Sequence, residues 1–293
     1  WIIVSYLIQQ EDSQSSLLLT SIMTLHCWSV VTMCLLMTGV APSLSLEASS
    51  GGGVTRRNAL LRPPMTTVTA ALLASAGNQA RAAESPATST TLSDGSIFPL
   101  ASFGLQVYED ATAYKLTLMA LECGYRNFFA SVLAGNQKGF AQAVRDSGIP
   151  RDQLYICGSV VSNRVSGYDA ARKATQKGCL SNLQAFGAGN IDYLDQIMLD
   201  YPGPDAASIQ GQWSAFQEMH DQKVVKSLSV SNFSPAQLDA VLQDERMTVK
   251  PVVNQLPYSV AYHPPNPTYN IEENAKRGVL VQAWAPLGYS LGG

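Results

Sequence analysis

The sequence predicts an α/β fold: a (β/α)8 TIM barrel of parallel strands that runs out after the seventh. Three observations predict it. Between residues 103 and 284, seven short apolar runs alternate strictly with six segments of helical periodicity, and strands separated by helices pair in parallel. No run is followed by a GxGxxG turn, which favours a barrel over a dinucleotide-binding open sheet. The chain of 293 residues is 46% hydrophobic and 14% charged with a formal charge of −3, which suits a domain with a sizeable core and leaves no cationic footprint for nucleic acid.

The elements follow in order. Residues 91–100 hold Asp94-Gly95 between short strand-like runs, a tight-hairpin pattern in which both residues tolerate positive φ. A strand is predicted at 103–107 and a helix at 111–122. The organising unit is 124–161: a strand at 125–130, a helix with Phe140, Ala143 and Val144 on one face, and a strand at 154–157, with Pro150 expected to end the helix. Then come a helix at 169–184, a strand at 192–199, a helix at 208–222 and a strand at 224–231. A helix at 235–242, a strand at 251–256, a helix at 271–276 and a strand at 279–284 complete the alternation. The pattern stops at Gly293 before an eighth strand, and Trp1 precedes the first methionine, Met23. The sequence is therefore expected to be incomplete at both ends, since an unclosed barrel would leave an exposed edge.

Residues 1–82 are expected to be a leader rather than fold. Residues 17–41 form an uncharged apolar run that contains a candidate start, Met23, and leads into Pro42-Ser43-Leu44-Ser45, pointing to a cleaved signal rather than an anchor. Residues 48–83 lack acidic side chains, as transit peptides do. Arg56-Arg57, an apolar run at 68–77 and Ala80-Arg81-Ala82 resemble a twin-arginine export signal; the alternative is a disordered tail with two chance arginines. Three stacked addresses imply several membranes, and the expected destination is the thylakoid lumen of a complex plastid. The domain at 83–293 would keep 15 basic and 19 acidic residues, net −4. Its Cys123, Cys157 and Cys179 allow at most one disulfide, their spacing fits no zinc site, and they are expected to be small core residues.

The motifs Gly124-Tyr125-Arg126, Ser147-Gly148-Ile149-Pro150-Arg151, Asp192-Tyr193-Leu194-Asp195, Ser231-Asn232-Phe233, Lys250-Pro251-Val252-Val253-Asn254-Gln255 and Ala285-Pro286-Leu287-Gly288 together resemble the aldo/keto reductases, over roughly residues 92–288. The resemblance implies a barrel plugged at its bottom by the hairpin and an NADP-dependent oxidoreductase ancestry. It also implies a catalytic tetrad, and here the sequence departs. Phe129 falls on the family's aspartate, Ala134 on its tyrosine, Ser159 on its lysine and Asp200 on its histidine. Losing the general acid alone forfeits about 10²–10⁴ in rate. Asp200 is expected either to cap the next helix, the blander role, or to be a repurposed base.

On the cofactor side the resemblance carries over to Ser231, Asn232 and Gln255 as partners of the nicotinamide amide, to Trp284 stacked on the ring, and to Leu287 as a further cofactor-binding residue, whereas Pro257 and Ser259 depart from the pattern. The same Ser, Asn and Gln could equally persist to cap barrel strands. The expected function is a pseudoenzyme: a non-catalytic binding or structural subunit associated with a thylakoid membrane complex of photosynthesis, with NADP(H) as a candidate ligand. No metal, nucleic acid or small-molecule substrate is expected. The alternative is an NADPH-dependent aldehyde or ketone oxidoreductase with a rearranged active site.

Overall fold

The computed structural model describes residues 3–5, 88–259 and 271–286; the rest of the leader, residues 83–87 and 260–270, and the chain from Leu287 onward lie outside them. The strands are β1 (Ile3–Ser5), β2 (Ser89–Thr91), β3 (Ile97–Pro99), β4 (Ser102–Gly104), β5 (Asn127–Phe129), β6 (Tyr155–Val160), β7 (Leu194–Asp200), β8 (Val225–Ser231), β9 (Val253–Pro257) and β10 (Leu280–Trp284). The helices are α1 (Asp110–Glu122), α2 (Gln137–Ser147), α3 (Tyr168–Gly187), α4 (Ala206–Asp221), α5 (Pro235–Leu242) and α6 (Ile271–Lys276). From β4 to β10 the strands pair in chain order and in parallel, the curled half-barrel that the alternation predicted. Ile3–Ser5 pairs antiparallel with β4, on the side away from β5.

Strand alternation splits the sheet into two faces. On one, Phe128, Ile156, Val160, Ile197, Leu199, Leu228 and Val230 join Phe140, Phe186, Trp213 and Phe216 of the helices in the main core. Its rings meet in series: Phe103 and Phe128 at 6.1 Å, Phe128 and Phe140 at 5.6 Å, Phe140 and Phe186 at 6.0 Å. The other face carries a small cluster of Phe129, Cys157 and Met198, and otherwise a run of buried polar side chains including Ser159, Gln196, Ser227, Ser229, Ser231 and Gln255.

At the amino ends of the strands the hairpin β2–β3 packs Leu92 and Phe98 against Tyr155, Val252 and Val253, the plug that the resemblance implied. The Ser227 hydroxyl donates to Asp94 at 2.7 Å and fixes its tip. Only Gly95 of the Asp94-Gly95 pair takes positive φ, 86°; Asp94 instead uses its carboxylate to accept from the Ser96 amide at 2.9 Å. Beside it Asp195 ties three strands together: Arg151 reaches it at 2.7 Å and Lys226 at 2.9 Å, and the Ile156 amide donates to it at 3.0 Å. Arg151 also donates to the Leu154 and Tyr193 carbonyls and lies over the Tyr193 ring at 4.0 Å. The SGIPR and DYLD motifs therefore meet in one scaffold joint.

Two local expectations are corrected. Helix α2 ends not at Pro150 but at Gly148, whose φ of 68° closes the last turn; Pro150 then caps a 3-10 turn at Arg151–Gln153. Cys157 and Cys179 are buried and free, whereas Cys123, the residue after α1, is exposed. It sits where the helix leaves the core, so it is not the core residue expected.

Candidate functional site

In a parallel barrel the carboxyl ends of the strands and the loops after them form the site. Here four neighbouring strands bring polar side chains into one row. Asp200 pairs in register with Ser231, Ser231 with Gln255, and Gln255 with Gln282. Three of these strands then turn through a left-handed residue: Tyr201 follows β7 at φ 67°, Asn232 follows β8 at φ 63° and Ala285 follows β10 at φ 51°. Asparagine adopts that conformation readily, whereas a tyrosine or alanine there is strained. At two of the ends pairing continues past the turn: the Tyr201 amide donates to the Ser231 carbonyl at 3.2 Å, and the Asn232 amide to the Gln255 carbonyl at 3.0 Å.

Asp200 is buried, with 4% of its surface exposed, and no cation reaches it among the described residues. Its partners are neutral: the Asn232 side-chain amide donates to it at 3.2 Å, and the Ser231 hydroxyl also hydrogen-bonds to it. Burial pushes its carboxyl up to about 6, against the pull of both hydrogen bonds. The expected capping role is corrected: Asp205, not Asp200, caps α4 by accepting from the Ser208 amide at 2.8 Å. Asp200 is still inside the strand pairing, too early to reach a helix amino terminus.

Asn232 completes a triangle, its amide nitrogen donating also to the Ser231 hydroxyl oxygen at 2.9 Å. With its nitrogen engaged twice, the Asn232 carbonyl oxygen accepts from no group among the described residues. The side-chain amides of Gln255 and Gln282 likewise engage none of the described residues, although both residues are nearly buried, at 7% and 4% exposed. Trp284 follows two residues beyond Gln282 at the end of β10 and is half-buried.

The remaining expected positions lie on the two preceding strands, β5 and β6, and in the turn after β5. Phe129 is buried against Cys157 and Met198. Ser159 is wholly buried, and its hydroxyl accepts from the Val132 amide at 3.4 Å. Ala134 is half-buried in the turn between β5 and α2. Asn136 pins that turn, accepting from the Ser131 amide at 2.9 Å and donating to the carbonyls of Tyr108 at 2.8 Å and of Leu105. Asn136 and Gln282 were both missed from sequence; period-two counting back from Trp284 would have found Gln282. Among the described residues no group of three His, Cys, Asp or Glu could hold a metal ion, and no helix is long and apolar enough to cross a membrane.

The aldo/keto reductase family model matches residues 98–291, from the plug through the strand-end row. The chain belongs to the aldo/keto reductase family. Curated relatives include an aldo-keto reductase of Mycolicibacterium smegmatis, 29% identical over 199 residues that cover 68% of this chain and 67% of the relative. The glyoxal reductase of Bacillus subtilis is 30% identical over 63% of each chain. An aldo/keto reductase structure from Brucella melitensis superposes with a TM-score of 0.60 at 26% identity, covering 70% of this chain and 75% of that one. The Bombyx mori aldo-keto reductase, solved in complex with NADP, shares the fold at a TM-score of 0.59 and 19% identity, over 70% and 68% of the two chains. This family member spans about two thirds of the length of the curated relatives it matches.

Proposed function

We propose that this aldo/keto reductase family barrel has given up carbonyl reduction by the family's acid and serves as a non-catalytic binding or structural protein. The observation that carries this reading is the packing at the stripped positions. Where the family resemblance places an aspartate and a lysine, Phe129 is buried in an apolar cluster and Ser159 is wholly buried beneath the Val132 amide. Neither side chain can lower the pKa of an acid, and Ala134 offers no acid to adjust.

The strand-end row from β7 to β10 fits a carboxamide. A carboxamide presents an N–H2 donor and a carbonyl acceptor; the Asn232 carbonyl oxygen is open to the first and the Gln255 amide to either. Those residues would hold the nicotinamide end of NADP(H), with the Trp284 ring beside them. When bound, that cofactor supplies hydride chemistry. Titration of the full-length protein with NADP(H), followed by fluorescence and by turnover of an aldehyde panel, tests the reading. The expected result is binding without turnover; steady turnover above a heat-killed control would sink the non-catalytic reading.

One observation favours a second reading, an NADPH-dependent aldehyde or ketone oxidoreductase with a rearranged site. Asp200 is a buried carboxyl at a strand end that holds a proton up to about pH 6 and so could give one to a carbonyl. That reading requires turnover that disappears in Asp200→Asn.

For location we propose the thylakoid lumen, in association with a photosynthetic membrane complex. The support is in the sequence: Arg56-Arg57, the apolar run at 68–77 and the small-residue site ending at Ala82. N-terminal sequencing of the native protein should find a start near Ala83. A chain that retains Arg56, or starts near Ala48, would exclude that route.

A further inference from the structure

The triangle of Asp200, Ser231 and Asn232 does more than tie two strand ends together. An ionised carboxylate only accepts hydrogen bonds, so the side chain that faces it must present its N–H2 group. Asn232 does so, spending one hydrogen on Asp200 at 3.2 Å and the other on the Ser231 hydroxyl oxygen at 2.9 Å. Its orientation is thereby fixed by charge rather than by shape, and the carbonyl oxygen is what remains for a ligand. Beside it, the side-chain amides of Gln255 and Gln282, which engage none of the described residues, lie in register on the next two strands.

We propose that Asp200 is a positioning residue that locks the Asn232 amide with its carbonyl oxygen towards the opening, making the strand-end row selective for ligands that donate an N–H2 group. This rests on the reading of the row as a carboxamide site and deepens it by naming what sets its polarity. With the carboxyl protonated the lock loosens, because the acid can donate to an amide oxygen and lets Asn232 turn over. The other groups bearing on Asp200 do not compete for that role. On β6 the Cys157 thiol is held protonated by burial; on β8 Ser231 and Asn232 are neutral, as is Gln255 on β9. Tyr201 follows it directly in the chain, past the strand end, and is exposed.

The test uses the full-length protein, as wild type, Asp200→Asn and Asp200→Ala, with two probes. NADPH carries the carboxamide; adenosine 2′,5′-bisphosphate lacks it. Asp200→Ala should weaken NADPH about tenfold, the typical effect of one charge-assisted hydrogen bond, and leave the bisphosphate unchanged. Asp200→Asn, which keeps an acceptor, should recover most of that loss. The wild type should also lose NADPH affinity between pH 8 and pH 5 while Asp200→Asn does not. A second measurement needs no ligand: the side-chain N–H2 resonances of Asn232 should be slowed in exchange in the wild type, and should move with the protonation of Asp200. Equal losses for both probes, or Asn232 resonances indifferent to Asp200→Ala, would overturn the proposal. A locked Asn232 in a protein that binds neither probe would overturn the nicotinamide reading while leaving the positioning role in place.

Discussion

Asp200 is where chemistry and stability conflict most directly. An unperturbed aspartate loses its proton near 3.8, and in this fold Asp200 does so near 6. Between those values the folded chain binds a proton that the unfolded chain has released. Stability therefore falls as pH rises from about 4 to 6 and is flat above, the reverse of a salt-bridged aspartate. The cost at neutral pH is up to about 3 kcal/mol. Asp200→Asn should accordingly be more stable than wild type at pH 8, with the difference vanishing below pH 4, as read from urea midpoints across that range. A variant no more stable at pH 8 would show that the carboxylate is better solvated than its burial implies. The sequence placed Asp200 at a strand end but misjudged its partner. The cap was legible in Asp205, five residues on, while the Asn232 contact depends on register between two strands 32 positions apart, which no local pattern carries.

The joint at Asp195 shows what the sequence motifs encode. Asp195 is buried, Arg151 nearly so, and Lys226 closes the group from solvent. Removing the central carboxylate leaves the mostly buried Arg151 guanidinium with only the Leu154 and Tyr193 carbonyls and no counter-charge, so Asp195→Ala should cost roughly 3 kcal/mol. Chemical denaturation would read this directly. A loss below about 1 kcal/mol, the level of a surface pair, would mean that the β6–β7–β8 joint is held by packing alone. The alternation of strands and helices was legible because each element carries its own period: Phe140, Ala143 and Val144 are buried on one face of α2 as their spacing required. The inner face was not. Its serines and glutamines carry no periodic apolar signal, so Gln282 stayed hidden although it lies in register with Gln255. The end of α2 was misplaced for a similar reason, because proline advertises a helix stop more loudly than a glycine two residues earlier that does the closing.

The proposed loss of the family's acid can be tested on the whole barrel. The combined changes Phe129→Asp, Ala134→Tyr, Ser159→Lys and Asp200→His, made in the full-length protein, should restore weak NADPH-dependent aldehyde reduction. Ser159→Lys alone should destabilise by several kcal/mol, since it puts an unpaired cation at a wholly buried position; with Phe129→Asp the two charges compensate each other. A folded quadruple variant that binds NADPH without turnover would show the substrate pocket to be closed. The plug hairpin and the Asp195 joint sit at the amino ends of the strands, whereas every departure from the reductase pattern named above at the tetrad sits near their carboxyl ends. The scaffold joints and the tetrad positions thus occupy opposite ends of the same strands. A substitution at the carboxyl ends should therefore read out on ligand binding while the plug and the Asp195 joint go on holding the strands in register.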